Sequence, residues 1–219
     1  MQQIQEIVQW FRINNYFTTA LLNTIFVPIA FIAFGRIVEI LDMALLTFFS
    51  KLIGQQGAYA FHNYGLYLGT VHHELAHAAV AALTGATIKE ITLLPNGNTL
   101  GSVTYIPKGN VLFTSLQKTL ASTAPVYLGS ISLYYLFTCC YAKCGIWWQF
   151  IIFGYVVLSI FTHMNMSSVD VKGALSGLPV CMVVMFAVFY FTRFDLINFA
   201  LNMQCVKSVT EFFEVVSSY

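Results

Sequence analysis

The chain has 219 residues, 58% of them hydrophobic and 9% charged, with a formal net charge of +1 and a mean hydropathy of +0.74. Soluble domains carry about 25% charged residues, so this composition leaves too little polar surface to face water and predicts an α-helical polytopic membrane protein. At about 20 apolar residues per crossing, the length suits roughly five to six membrane helices in a lipid bilayer, and the small net charge without any Lys/Arg run excludes nucleic acid as a partner.

Residues 1–16 mix polar and aromatic side chains and suit an entry along the membrane interface. The stretch 17–34 is uncharged and long enough to span. A cleavable signal peptide is the rival reading, given the small residues Ala33 and Gly35, but the apolar core is long and Pro28 interrupts it. Residues 36–53 are apolar yet carry Glu39 and Asp42, three apart and so on one helical face. Acids are costly against lipid; this segment lies at the interface or turns that face inward. A further span is predicted over 59–83.

The next stretch, TGATIKEITLLPNGNTLGSVTYIP, differs in kind. Turn residues Gly85, Asn96, Gly97 and Gly101 surround two runs rich in β-branched side chains, which predicts a hairpin over 87–106 with arms 87–94 and 102–106 about PNGN. Residues 111–141 are again apolar, with a bend expected at Pro125 and Gly129. A span over 146–161, a polar break THMNMSSVDVKGALSG and a last span over 178–201 follow, then an amphipathic tail. The organisation is thus one integral membrane domain over 1–219: N-terminal spans in 17–53, a core over 59–201 and a short tail over 202–219. Cys139, Cys140 and Cys144 lack C-x2-C spacing and read as packing residues.

Three of the five histidines fall within VHHELAHAAV. His73-Glu74-Leu75-Ala76-His77 is H-E-x-x-H. On a helix, positions four apart share a face, so both imidazoles can meet one zinc ion while Glu74 addresses a water on that metal. With this composition roughly 0.005 matches to H-[DE]-x-x-H are expected by chance. Ionisable groups inside a span are expensive and are functional by default, and one metal would satisfy all three. His72 points elsewhere on the helix.

A catalytic zinc takes three protein ligands and keeps one open position. Of the later acids, Glu90 falls on the hairpin and Glu211 and Glu214 in the tail, which leaves Asp170 and Asp195. Asp170 sits in a polar interruption where a broken helix could line a cavity. Asp195 lies beside Arg193 and could pair with it. Asp170 is the better candidate, and His163 is a further possible ligand or proton partner.

The stretch HELAHAAVAALTGATIKEITLLPNGNTLGSVTY, with LASTAPVYLGS and SSVDVKGALSG, resembles the site-2 protease family of intramembrane zinc metallopeptidases, in particular its compact bacterial-type branch, over about half of the chain. The resemblance implies that His73, His77 and Asp170 bind Zn2+ and that Glu74 is the base. It also implies a transmembrane protein as substrate and a bacterial inner membrane as setting. The aspartate stands outside the family's L-D-G context, and 120–130 lacks the asparagine of the middle core helix, so Asn165 is the candidate for substrate binding. The expected function is hydrolysis of a peptide bond in or near a substrate transmembrane segment by a Glu-activated water on zinc. The hairpin edge is expected to bind the unwound substrate as an added strand. Two other readings stay open: a non-catalytic membrane scaffold with a structural zinc, and a membrane metallopeptidase for soluble peptides.

Overall fold

A computed structural model describes residues 16–94 and 100–202. The expected interfacial entry, the tip PNGN and the amphipathic tail lie wholly or largely outside the described residues. The first helix, α1 (Tyr16–Ala60), runs 45 residues and keeps helical hydrogen bonding past Pro28. It fuses the two segments expected over 17–53, because nothing at Gly35-Arg36 forces a turn. The break falls instead at Gly54, whose φ of 77° and ψ of 161° are open to glycine without a Cβ penalty.

A π-helical turn, Phe61–Gly65, then separates α1 from α2 (Tyr67–Leu83). The span expected over 59–83 is therefore interrupted, and the helix carrying H-E-x-x-H is 17 residues, about 25 Å at 1.5 Å per residue. Strands β1 (Thr87–Thr92) and β2 (Ser102–Ile106) pair antiparallel, Thr87 opposite Ile106 and Thr92 opposite Ser102, with an irregularity between Ile88 and Glu90. The remaining helices are α3 (Val111–Tyr135), α4 (Trp147–Thr162), α5 (Ser168–Thr192) and α6 (Leu196–Asn202). α3 passes through Pro125 without ending, and the polar break narrows to 163–167 because α5 begins at Ser168 rather than near 178.

Two helical stretches, Tyr16–Gly65 and Ser168–Thr192, are long and apolar enough to cross a membrane; Trp147–Thr162 is apolar but short. That is fewer than the five to six expected from length, since the turn after α1 and the hairpin consume residues that composition counts toward spans.

The chain divides into two compact units. One comprises 16–32 with 182–202, the other Ala33–Cys181. In the first, Phe17 meets Phe186 edge to face at 5.2 Å, and the fully buried Asn23 donates to Phe194 O at 2.8 Å and accepts from Ile197 N at 3.2 Å. These bonds satisfy a side chain that would otherwise be an orphan in an apolar helix.

In the second unit, Ala76, Val80 and Ala81 of α2 face Ala121 and Ala124 of α3, all buried. Small side chains let the two backbones approach closely. α5 docks on α3 by the same device: a Cβ at Gly173 would lie 2.2 Å from Ser122 Oγ, and one at Gly177 would lie 2.1 Å from Ser115 O. Thr119 Oγ1 donates to Ala174 O at 2.9 Å across this contact. Gln117, buried on α3, ties the hairpin's flanks: its Nε2 donates to Thr84 O and its Oε1 accepts from Lys108 N.

Candidate metal centre

The helical period brings His73 and His77 to one face of α2, and the docking of α5 brings Asp170 to them. His77 Nε2 lies 3.3 Å from Asp170 Oδ1, His73 Nε2 lies 3.8 Å from Asp170 Oδ2, and the two Nε2 atoms are 3.0 Å apart. Both rings are held from behind. His73 Nδ1 bonds His163 O at 2.6 Å and His77 Nδ1 bonds Ala121 O at 2.7 Å. A carbonyl oxygen only accepts, so each Nδ1 carries a proton, and a neutral ring in this orientation turns a bare Nε2 lone pair toward the other. With both rings neutral, two lone pairs and a carboxylate converge with no donor among them.

Such a set is repulsive unless a cation sits inside it, and the three residues form a group that could hold a metal ion. Nitrogen and oxygen ligands ~2.0–2.1 Å from one tetrahedral ion lie ~3.3–3.4 Å apart, which the observed 3.0, 3.3 and 3.8 Å bracket. The outer bonds to His163 O and Ala121 O are the kind that fix tautomer and ring direction in metal sites.

Asp170 owes its place to a local motif. It lies in the first turn of α5, where its N–H meets Ser167 Oγ at 3.2 Å while Ser167 N donates to its Oδ2 at 2.9 Å. This reciprocal pair is a capping box, S-x-x-D. The carboxylate therefore ends a helix with one oxygen and faces His77 with the other. Asp195 is used differently: its Oδ1 accepts from Asn198 N at 2.9 Å and caps α6, and Arg193 lies over the ring of Tyr16 at 4.3 Å. His72 Nε2 meets Ser132 Oγ at 2.9 Å, away from the trio.

Glu74 is buried, one residue on from His73. β2 closes over it. The inward residues Gly101, Val103, Tyr105 and Pro107 line a cavity of about 930 Å³ that also contains His73, Glu74, His77 and Asp170. A Cβ at Gly101 would lie 2.7 Å from Glu74 Cγ and 3.2 Å from its Oε1, so only glycine permits this approach. Tyr67 reaches back from the start of α2 to donate to Leu93 O and pins the other arm of the hairpin. Burial holds the Tyr105 phenol above its ordinary pKa; a hydrogen bond with Ser122 opposes the rise and the charge of Asp170 adds to it.

The opposite wall is a second polar cluster. Asp42 accepts from Asn165 Nδ2 at 2.9 Å and pairs with His62 Nε2 at 3.2 Å, and the His62 ring stacks on His163 at 5.0 Å. Asp42 thus turns inward, whereas Glu39 stays at the surface beside Arg36. Asn165 lines the cavity and gives one of its two amide protons to Asp42, while its buried Oδ1 has no partner among the described residues. His163 serves the trio through its carbonyl, while its own Nδ1 meets Ser159 O at 3.0 Å.

Sequence reasoning did not single out Asp42 and His62 as partners, Gly101 and Tyr105 as cavity residues, or Ser167 as the cap. The signals for the last and for the docking of α5 were present: S-x-x-D ahead of an apolar run, and G-x-x-x-G at Gly173 and Gly177. Compared with protein-family models, curated proteins and solved structures, the chain has no match.

Proposed function

We propose that the chain is a polytopic membrane protein and a zinc-dependent peptidase that hydrolyses a peptide bond in or near a transmembrane segment of another protein. The observation that carries this reading is the convergence of two imidazole Nε2 atoms and a carboxylate beside a buried glutamate. A His/His/Asp set of nitrogen and oxygen donors suits Zn2+, and three protein ligands leave a fourth position open. When bound, the ion supplies a Lewis acid that polarises a carbonyl and brings the pKa of water toward ~7.

The chain's own residues supply the remainder. Glu74 takes a proton from the attacking water and returns it to the leaving amine nitrogen as the C–N bond breaks. The backbone at Gly101 runs so near the Glu74 side chain that a Cβ there would not fit. β2 offers a substrate strand: its inward face lines the cavity, and its backbone groups bond only across to β1 among the described residues. An unwound segment paired along that edge would present one carbonyl to the trio.

Membrane embedding is supported by the apolar surfaces of α1 and α5, where Ile25, Ile29, Ile32, Val183, Val188 and Phe191 are exposed. The resemblance to the compact bacterial-type site-2 proteases supports a bacterial inner membrane.

The test is metal analysis of detergent-purified wild type, His73→Ala and Asp170→Ala, beside cleavage assays of wild type and Glu74→Gln on a tethered transmembrane peptide and on a soluble one. Stoichiometric zinc in wild type only, with cleavage of the membrane peptide abolished by Glu74→Gln, is the expected result. Wild type without zinc, or Glu74→Gln with full activity, would overturn the reading.

A further inference from the structure

A threonine inside a helix ordinarily gives its hydroxyl proton to the carbonyl one turn earlier. Thr24, Thr47, Thr123, Thr138, Thr162 and Thr192 all do so, each to the residue four before it. Thr70 does not. Four residues before it stands Leu66, which follows the π-helical turn with φ −99° and ψ 27°, off the helical path, and whose carbonyl accepts from Gly69 N at 2.9 Å. The break ahead of α2 thus frees a hydroxyl that a continuous helix would commit to its own backbone.

Thr70 is 3% exposed and lines the cavity, and its Oγ1 has no partner among the described residues. Ser159 Oγ, His163 Nε2 and Asn165 Oδ1 are buried without one too. They share a wall. A Cβ on Gly69 would lie 1.9 Å from Ser159 O and 2.5 Å from His163 Nδ1, so α2 meets α4 there, and His163 and Asn165 line the cavity with Thr70. Buried polar atoms without a protein partner are the ones that ordered water satisfies, given a polar and roomy site.

Thr70 also has a fixed relation to the proposed base. Glu74 follows it by four residues, which puts their Cβ atoms about 5–6 Å apart on one helix face. At about 100° per residue, Thr70 falls between the directions of His73 and Glu74, about 60° from the first and about 40° from the second. Side chains on a helix lean toward its N-terminus, so Glu74 leans over the turn that carries Thr70. The Gly101 backbone lies against the Glu74 stem. No hydrogen bond holds the Glu74 carboxylate among the described residues. An unheld carboxylate and an uncommitted hydroxyl therefore stand one turn apart in one cavity.

Resting on the peptidase reading, we infer that Thr70 is a positioning residue for Glu74, its hydroxyl joined to one carboxylate oxygen through a single bridging water. The water accepts from Thr70 Oγ1 and donates to Glu74. Such a bridge is enthalpically close to a direct hydrogen bond. It stops the carboxylate from rotating and leaves its other oxygen for the attacking water. Thr70 touches neither substrate nor metal and moves no proton; the proton taken by Glu74 still passes to the departing amine nitrogen.

The experiment compares wild type with Thr70→Val, Thr70→Ser, Thr70→Ala and Glu74→Gln, and with Thr70→Val placed in Glu74→Gln, each purified whole. Cleavage of a tethered transmembrane peptide, bound zinc and thermal unfolding are measured for all. Valine replaces the hydroxyl by a methyl, serine keeps the hydroxyl alone, and alanine has neither; alanine against serine thus repeats the comparison of valine with wild type at a smaller side chain. Expected for Thr70→Val and Thr70→Ala is a fall in kcat of about 10- to 100-fold, the range for partners that orient groups at a metal site. KM should stay within about two-fold, because ground-state binding is untouched. Thr70→Ser should recover kcat, zinc content should stay at the wild-type value throughout, and Glu74→Gln should lose nothing further on adding Thr70→Val, as for residues that act as a unit. A packing role alone predicts another pattern: loss of an unpartnered buried hydroxyl is neutral or stabilising and leaves kcat unchanged. That pattern would overturn the inference, as would a kcat loss matched by loss of zinc or of folding, a failure of serine to recover kcat, or an equal further loss in Glu74→Gln. If wild type itself cleaves no better than Glu74→Gln, the peptidase reading fails; if wild type cleaves and Thr70→Val equals it, only the present inference fails.

Discussion

At the scale of single residues the site separates the proposed ligands from the groups that hold them. Glu74→Gln keeps the shape of the side chain and loses the base, so turnover should fall by about 10²–10⁴-fold while zinc measured by mass spectrometry stays bound. Ser167→Ala removes one half of the capping box. It should cost about 1 kcal/mol of stability and weaken zinc affinity in a competition titration, because the Asp170 carboxylate then swings more freely. The pair His73 and His77 was legible because their separation of four residues maps to one helix face whatever surrounds it. Asp170 was reached from the sequence through its polar neighbours, yet what holds it is a cap on an unbroken first turn. Tyr105 was not legible, since an alternating strand with a tyrosine gives no sign of what stands opposite.

Secondary-structure elements carry the next level of constraint. The docking of α5 on α3 depends on two glycines, and Gly173→Leu would force a side chain into Ser122. Overpacking of this sort costs typically 1–3 kcal/mol; the accompanying shift of Asp170 should lower zinc content, which distinguishes it from Leu175→Phe at an exposed position of the same helix. Proline at Thr104 tests the edge of β2: cleavage should drop while zinc content stays normal, and unchanged turnover would argue that no substrate strand pairs there. The hairpin arms were legible from β-branched runs and turn residues. The fusion of 17–34 with 36–53 was not, because Glu39 and Asp42 suggest an interfacial segment in sequence, whereas in the helix Glu39 bonds Arg36 at the surface at 2.8 Å and Asp42 pairs with His62 and Asn165. Nor was the break at 61–66, where FHNYG lacks any proline.

For the molecule as a whole, the proposed zinc site would link stability to metal. A ligand that binds only the folded state stabilises it by RT ln(1 + [L]/Kd), about 2.7 kcal/mol when free zinc exceeds Kd a hundredfold. Chelator should therefore lower the unfolding temperature of wild type and leave Asp170→Ala unchanged, as followed by intrinsic fluorescence in detergent. Membranes washed with alkaline carbonate should retain the chain, given two helical stretches able to cross; release into the supernatant would argue against embedding. Composition conveyed an apolar, helical protein but not the number of crossings, since short helices of 16 or 17 residues carry as much apolar character as spans without their reach.

The His73 and His77 rings both lean on main-chain oxygens, those of His163 and Ala121. Every amino acid possesses that oxygen. Replacing either supporting residue leaves the contact chemically available, so alanine scanning would score position 163 by its imidazole and overlook its part in aiming His73. The aim of the imidazoles is written into the path of the chain, and drift in side-chain identity at those two positions can proceed without erasing it.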